Sequence, residues 1–251
     1  MADAAGVTAD ALLGGRVKLA QPAAGYRAAI DPVLLAATVP AAARGRALDL
    51  GCGAGAVMLC AAMRAPDLAV VGLERDAAMA ALARANVAAN GLAARAAVIE
   101  GDVARPPPEL ATGDFDFALA NPPFLDPATA DPPPDAGRAA AHVEDTPLAA
   151  WIAAARRALK AGGALAVIHR ADRLADLLGA LDGFGDVLVV PLWPAAGRPA
   201  RRVIVAARRG RRGPLALAAG LVLHGAEGRF TPEAEAILRD GGALAPSGRG
   251  T

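Results

Sequence analysis

Aromatic side chains make up only 3% of this 251-residue chain, and lysine occurs twice, at Lys18 and Lys160. Core volume must therefore come from Val, Leu and Ile set in an alanine background, since 55% of the residues are hydrophobic. No stretch approaches 18 uninterrupted strongly apolar residues, so no membrane-spanning helix is expected. The opening MADAAGVTAD carries two aspartates and no basic residue, so no export signal is expected there. Cysteine is scarce: Cys52 and Cys60 stand eight apart, with no His or Cys companion at metal-ligand spacing. They are expected to be reduced, buried and inert, in a cytoplasmic protein that binds no metal. A charge imbalance is lacking too, and a net charge of +1 does not mark a nucleic-acid binder. The distribution says more. No acid occurs from Val187 to Ala226, while Arg198, Arg201, Arg202, Arg208, Arg209, Arg211 and Arg212 fall within fifteen positions. Such a run reads equally as a phosphate-attracting patch and as a solvated hairpin.

An alternating pattern begins at Arg46. RALDLG, LAVVGLE (68–74), AAVIEGD (96–102), FDFALAN (115–121) and ALAVIH (164–169) read as strands. Between them lie helices at 55–64, from Asp76 to Asn90-Gly91, and from Pro147 through Trp151; another follows from Asp172 to Leu181. Strands alternating with helices imply an α/β, doubly wound, mostly parallel sheet. DVLVVPLW (186–193) and RRVIVAAR (201–208) are joined by PAAGRPA, too short for a helical crossover, so a seven-stranded sheet should end in an antiparallel hairpin. Residues 1–10 read as a tail, LLGGRVKLAQP (12–22) as a short hairpin, and Asp31-Pro32 as a helix start with Asp31 as the N-cap. The expected divisions are 1–45, 46–212 and a 213–251 extension with a short helix capped by Thr231. The stretch 126–145 is long for a strand-to-helix loop, and loops of that size are functional or disordered.

In such sheets the ligand sits beyond the carboxyl ends of the strands, where strand order reverses. The loop DLGCGAGA lets backbone approach a ligand, and the helix after it presents unpaired N–H groups. Glu74 ends the second strand, placed to accept from both ribose hydroxyls, and Asp102 ends the third, placed to accept from an adenine amino group. Gly51-x-Gly53-x-x-Ala56 also satisfies a loose dinucleotide fingerprint. Asp49 before Gly51-x-Gly53-x-Gly55 favours S-adenosylmethionine, because the leading acid can hold an ammonium group. The fourth strand runs into Asn121, Pro122, Pro123 and Phe124. An amino group on an aromatic ring is a poor nucleophile, its lone pair being delocalised. The Asn121 side-chain oxygen and the Pro122 carbonyl would accept its two N–H groups and aim the lone pair. Neither proline offers a competing donor, and Phe124 offers a stacking face.

The Asn-Pro-Pro-Phe quartet after a DxGxGxG-type strand resembles the signature of Class I methyltransferases that modify exocyclic or amide nitrogens. GGRVKLAQPAAGYRAAIDPVLLAA, GRAAAHVED, IHRADRL, PLWPAAGRPARRVIV and GLVLHGAEGRFTPEAEAIL look like bacterial proteins grouped with tRNA1(Val) (adenine-N6)-methyltransferase. The resemblance implies a Rossmann-like fold, S-adenosylmethionine as cofactor, and an RNA substrate, tRNA, methylated on the adenosine next to the anticodon. It also implies that Asp49, Gly51, Gly53, Gly55, Glu74, Asp102 and Asn121 line the cofactor site, closed by Arg27 and Asp31, with Asn121 through Phe124 at the target. Arg138, His142, Arg201 and Arg202 are candidate substrate contacts; His169 and His224 read as structural. Methylation of a protein glutamine amide or of a ribosomal-RNA guanine amino group stays open, as does a non-catalytic nucleotide-binding role.

Overall fold

The computed structural model describes residues 6–23, 28–123 and 146–244. Val7–Leu12 (β1) and Val17–Pro22 (β2) pair antiparallel across a one-turn helix at Leu13–Gly15. The hairpin thus starts inside the stretch read as a tail, because Val7, Ala9 and Ala11 find partners in β2 that local composition does not reveal. Helix α1 (Asp31–Ala36) buries every residue from Pro32 to Ala36. Its N-cap is Ile30 rather than Asp31, whose side chain is used elsewhere.

The main sheet then follows the alternation. Its strands are β3 (Gly45–Leu50), β4 (Leu68–Glu74), β5 (Ala96–Glu100), β6 (Phe115–Ala120), β7 (Leu159–Arg170), β8 (Phe184–Ala195) and β9 (Arg202–Arg209). Helices α2 (Ala56–Arg64), α3 (Ala77–Ala89), α4 (Leu148–Ala158) and α5 (Leu174–Gly179) connect them. The spatial order is β8-β9-β7-β6-β3-β4-β5, parallel from β5 to β7, with β9 antiparallel to both neighbours. Two short strands, β10 (Ala216–Leu217) and β11 (Leu221–His224), add to the free edge of β8. They have too few residues to show a period of two in the sequence. Helix α6 (Pro232–Leu238) follows, with the Thr231 hydroxyl accepting from Ala234 N–H at 3.2 Å.

Alternating side chains divide the core into two layers. Ala47, Leu119, Ile168 and Ile204 face α1 and α2. Leu48, Leu50, Ala118, Ala120, Leu165, Val167, Val203 and Val205 face α4 and α5. The hairpin is held to the first layer by an amide ladder. The Asn86 and Asn90 side chains each donate to and accept from one residue of β2, Ala20 and Lys18, at 2.7–2.8 Å. Four helical residues advance about 6 Å and two strand residues about 6.7 Å, so asparagines four apart on a helix match alternate residues of a strand.

Candidate active site

Leu50 pairs with Leu73 on one side and Ala120 on the other. The next residues, Gly51 and Asn121, therefore leave the sheet side by side, where strand order reverses and a crevice opens. Gly51, Gly53 and Gly55 have φ of 64°, 55° and 92°, in the left-handed region. At Gly51 a Cβ would come within 2.5 Å of the Trp151 ring, so the loop passes directly over an indole from α4. Trp151 is itself 7% exposed, and its Nε1 donates to the Thr146 carbonyl at 3.3 Å. The loop is tied to β4 as well. Glu74 accepts Gly53 N–H at 2.8 Å and Asp76 N–H at 2.9 Å, one on each carboxylate oxygen. Each oxygen keeps a further lone pair for a ligand hydroxyl.

Asp49 lies on the first-layer face of β3. One carboxylate oxygen accepts Met58 N–H in the first turn of α2 at 3.0 Å; the other is buried with no partner among the described residues. Burial, opposed by the Met58 bond and reinforced by the Glu74 charge, raises its pKa from 3.8 to about 8. Asp102 does not end a strand: β5 stops at Glu100, and Asp102 makes a turn in which its side chain accepts Ala104 N–H at 2.8 Å.

Asn121, Pro122 and Pro123 follow β6 directly, as the sequence implies. On the neighbouring strand, His169 is fully buried near the end of β7 and level with Pro122, since Val167 pairs with Ala120. Burial first, and then the positive charge of Arg173, lower its pKa to about 4. Sequence reasoning placed His169 as a structural residue and did not connect it to the quartet. The available signal was its position at the carboxyl end of a strand adjacent to β6.

The arginine run is not one patch. Arg202 is at the carboxyl edge, with Arg198 and Arg201 in the hairpin beside it; Arg208, Arg209, Arg211 and Arg212 lie at or beyond the far end of β9, about 20 Å away at strand rise. Arg202 bonds the Asp31 carboxylate at 3.2 Å, so two residues expected to face different ligands face each other. Arg208 donates to the Gly162 carbonyl at 3.3 Å, and Arg209 donates to that of Leu159. Arg27, Phe124, Arg138 and His142 lie outside the described residues.

The cysteines are buried and free, and burial pushes Cys60 up to about 12. His224 stacks on Phe230 with centroids 4.7 Å apart. No described helix is long and apolar enough to cross a membrane.

The family described as the methyltransferase small domain matches residues 28–187. The chain belongs to that family. This methyltransferase small domain protein is 37% identical over 164 residues to a tRNA1(Val) (adenine(37)-N6)-methyltransferase of Porphyromonas gingivalis, a match covering 62% of this chain and 64% of the relative's length. A relative of the same description from Dickeya chrysanthemi is 29% identical over 218 residues, covering 84% of this chain and 85% of its own. Among solved structures, one described as a predicted O-methyltransferase from Agrobacterium tumefaciens superposes with a TM-score of 0.71 at 28% identity, covering 87% of this chain and all of that one.

Proposed function

We propose that this methyltransferase transfers a methyl group from S-adenosylmethionine to the N6 amino group of an adenosine in tRNA, next to the anticodon as in tRNA1(Val). The observation that carries the reading is the emergence of Asn121-Pro122-Pro123 from β6 immediately beside the Gly51 loop from β3. The relatives from P. gingivalis and D. chrysanthemi support the choice of acceptor.

The residues present fit the cofactor. The Gly51–Gly55 loop gives close backbone approach, Glu74 retains lone pairs for a ribose, and the partnerless oxygen of Asp49 suits an ammonium group. S-adenosylmethionine would supply a methyl on a sulfonium, whose neutral thioether would leave as the amine bonds the methyl, the methylated amine then giving up a proton. The chain's own task is alignment. The Asn121 side-chain oxygen and the Pro122 carbonyl accept the two amine hydrogens, drawing the nitrogen toward tetrahedral geometry and directing its lone pair. Held this way, transfer is driven mainly by positioning. The base must leave its stack at a cost of a few kcal/mol, least in a loop. Arg198 and Arg201, exposed beside the carboxyl edge, are placed to hold backbone phosphate without reading sequence. The protein is assigned to the cytoplasm, where its tRNA substrate is.

The test is incubation with methyl-labelled cofactor and total RNA from a strain lacking the gene, followed by nucleoside analysis. Label in N6-methyladenosine of tRNA is expected. Label in methylated guanosine, in a methyl ether or in protein glutamine overturns the reading.

A further inference from the structure

We propose that Asn86 is a positioning residue for the cofactor: by holding the Ala54 carbonyl it fixes a peptide plane of the Gly51–Gly55 loop and ties that loop to the N-terminal hairpin. The inference rests on the cofactor assigned above and not on which amine is methylated.

Asn86 is 2% exposed, and both hydrogens of its side-chain amide are engaged. Its oxygen accepts Ala20 N–H at 2.8 Å; the NH2 group donates to the Ala20 carbonyl at 2.8 Å and to the Ala54 carbonyl at 2.9 Å. One amide therefore bridges β2 and the cofactor loop. The peptide between Ala54 and Gly55 turns through ψ of Ala54 and φ of Gly55, and Gly55, at φ 92°, has the freedom of glycine. Its N–H donates to the Cys52 carbonyl at 2.8 Å, and Asn86 holds its C=O, so both ends of the plane are fixed. Earlier peptides of the loop are tied to β4 instead. Cys52 N–H donates to the Leu73 carbonyl at 2.9 Å, and Gly53 N–H to Glu74 at 2.8 Å. Asn86 does from α3 what those bonds do from β4, on the arc that leads into α2.

Helix α3 runs along the back of the loop, and Met79, Ala83 and Asn86 share one of its faces at helical spacing. A Cβ at Gly53 would stand 3.8 Å from the Met79 methyl, and one at Gly55 would stand 3.5 Å from the Ala83 methyl. Those two contacts are apolar and set distance only. The Asn86 bond is directional and sets orientation. Asn90 is the internal control. It exchanges bonds with Lys18 at 2.8 Å and 2.7 Å, as Asn86 does with Ala20, but its other N–H donates to the Asn86 backbone carbonyl at 2.8 Å. Two asparagines thus hold the hairpin in the same way, and Asn86 alone of the pair reaches the loop.

Asn86→Ala and Asn90→Ala test the proposal, read by calorimetric Kd for S-adenosylhomocysteine, the demethylated form of the cofactor. Asn86→Ala is expected to raise Kd about tenfold, the scale of one buried hydrogen bond. Asn90→Ala, which loosens the hairpin and leaves the loop bond in place, should change Kd by no more than about twofold. Equal Kd in the two variants, or a lower Tm for Asn86→Ala with Kd unchanged, overturns the proposal. Wild-type protein gives a measurement independent of variant folding, through NMR of side-chain amide exchange in heavy water. By linkage, a ligand that needs the loop in place must in turn protect the bond that holds it. Exchange of the Asn86 side-chain protons is therefore expected to slow when S-adenosylhomocysteine is added, with no such change at Asn90. No slowing at Asn86, or equal slowing at both, overturns the proposal. This inference and the acceptor reading fail separately. If the Kd values differ as expected and the labelled product is not N6-methyladenosine, only the acceptor reading falls. If the product is N6-methyladenosine and the two variants bind alike, only the role of Asn86 falls.

Discussion

The two edges of one sheet differ in how their charged and polar groups are satisfied. At the amino edge, Asp116 accepts Arg46 N–H and binds Lys160, both at 2.9 Å. Burial draws its pKa upward, but the bonds from Arg46 and Lys160 outweigh that and hold it below the usual carboxylate range. Arg46 stacks over Phe115 at 4.4 Å and reaches Asp114 at 3.9 Å. At the carboxyl edge, Asp49 is buried with one oxygen lacking a partner among the described residues, and His169 is buried and held neutral. The Gly51 loop sits in left-handed backbone against an indole. The first edge closes on itself with ordinary surface pairs. The second concentrates desolvated groups beside a loop that only glycine fits easily, where a ligand can offset their cost, a mark of a functional site.

The contrast breaks or holds at five points. Asn121→Ala should lower kcat about 10²- to 10³-fold, by analogy with removing one preorganised polar contact to the reacting group, and leave cofactor Kd within a few fold. Comparable losses in both would dissociate Asn121 from the transfer step. Gly51→Ala should destabilise the fold by about 2–4 kcal/mol in urea titrations, from left-handed strain plus overpacking against Trp151. Adding Trp151→Leu should not restore stability, because the backbone strain persists.

Asp49 gives a pH signature. Its pKa is raised on folding from 3.8 to about 8, so the stability it confers is full below pH 3.8 and is lost as pH rises through 8. The Tm of the ligand-free protein should therefore fall more steeply between pH 5 and pH 9 than that of Asp49→Asn; parallel curves would refute the burial argument. The arginines extend the comparison to RNA. Arg198→Glu with Arg201→Glu should weaken tRNA binding most at low salt and flatten the salt slope by about one unit for each phosphate no longer neutralised. Arg211→Glu with Arg212→Glu, at the opposite edge, should leave that slope unchanged. The smallest effect is expected for Lys160→Ala, about 0.5 kcal/mol or less, because its pair with Asp116 is partly in water.

Much of this was legible locally. The alternation of strand and helix, the Asp76 cap and the proline pair ending β6 are written in short stretches, where period and capping chemistry act. Asp49, the three loop glycines and Asn121 stand out by motif spacing and do meet at one edge. The Asp31–Arg202 pair, 171 residues apart, was not legible, nor was the burial of His169 level with Pro122. Neither was the Asn86–Asn90 ladder, whose spacing matters only once β2 lies along α3.

The arginine run marks the dividing line. Its composition alone determined a strand rich in positive charge. The antiparallel course of β9 across the sheet decided that its two ends serve different edges, because an extended segment of eight residues spans the sheet from one end to the other. Sequence period sets which face a side chain takes. Only the order and direction of strands sets which edge it reaches and which distant residue it meets there.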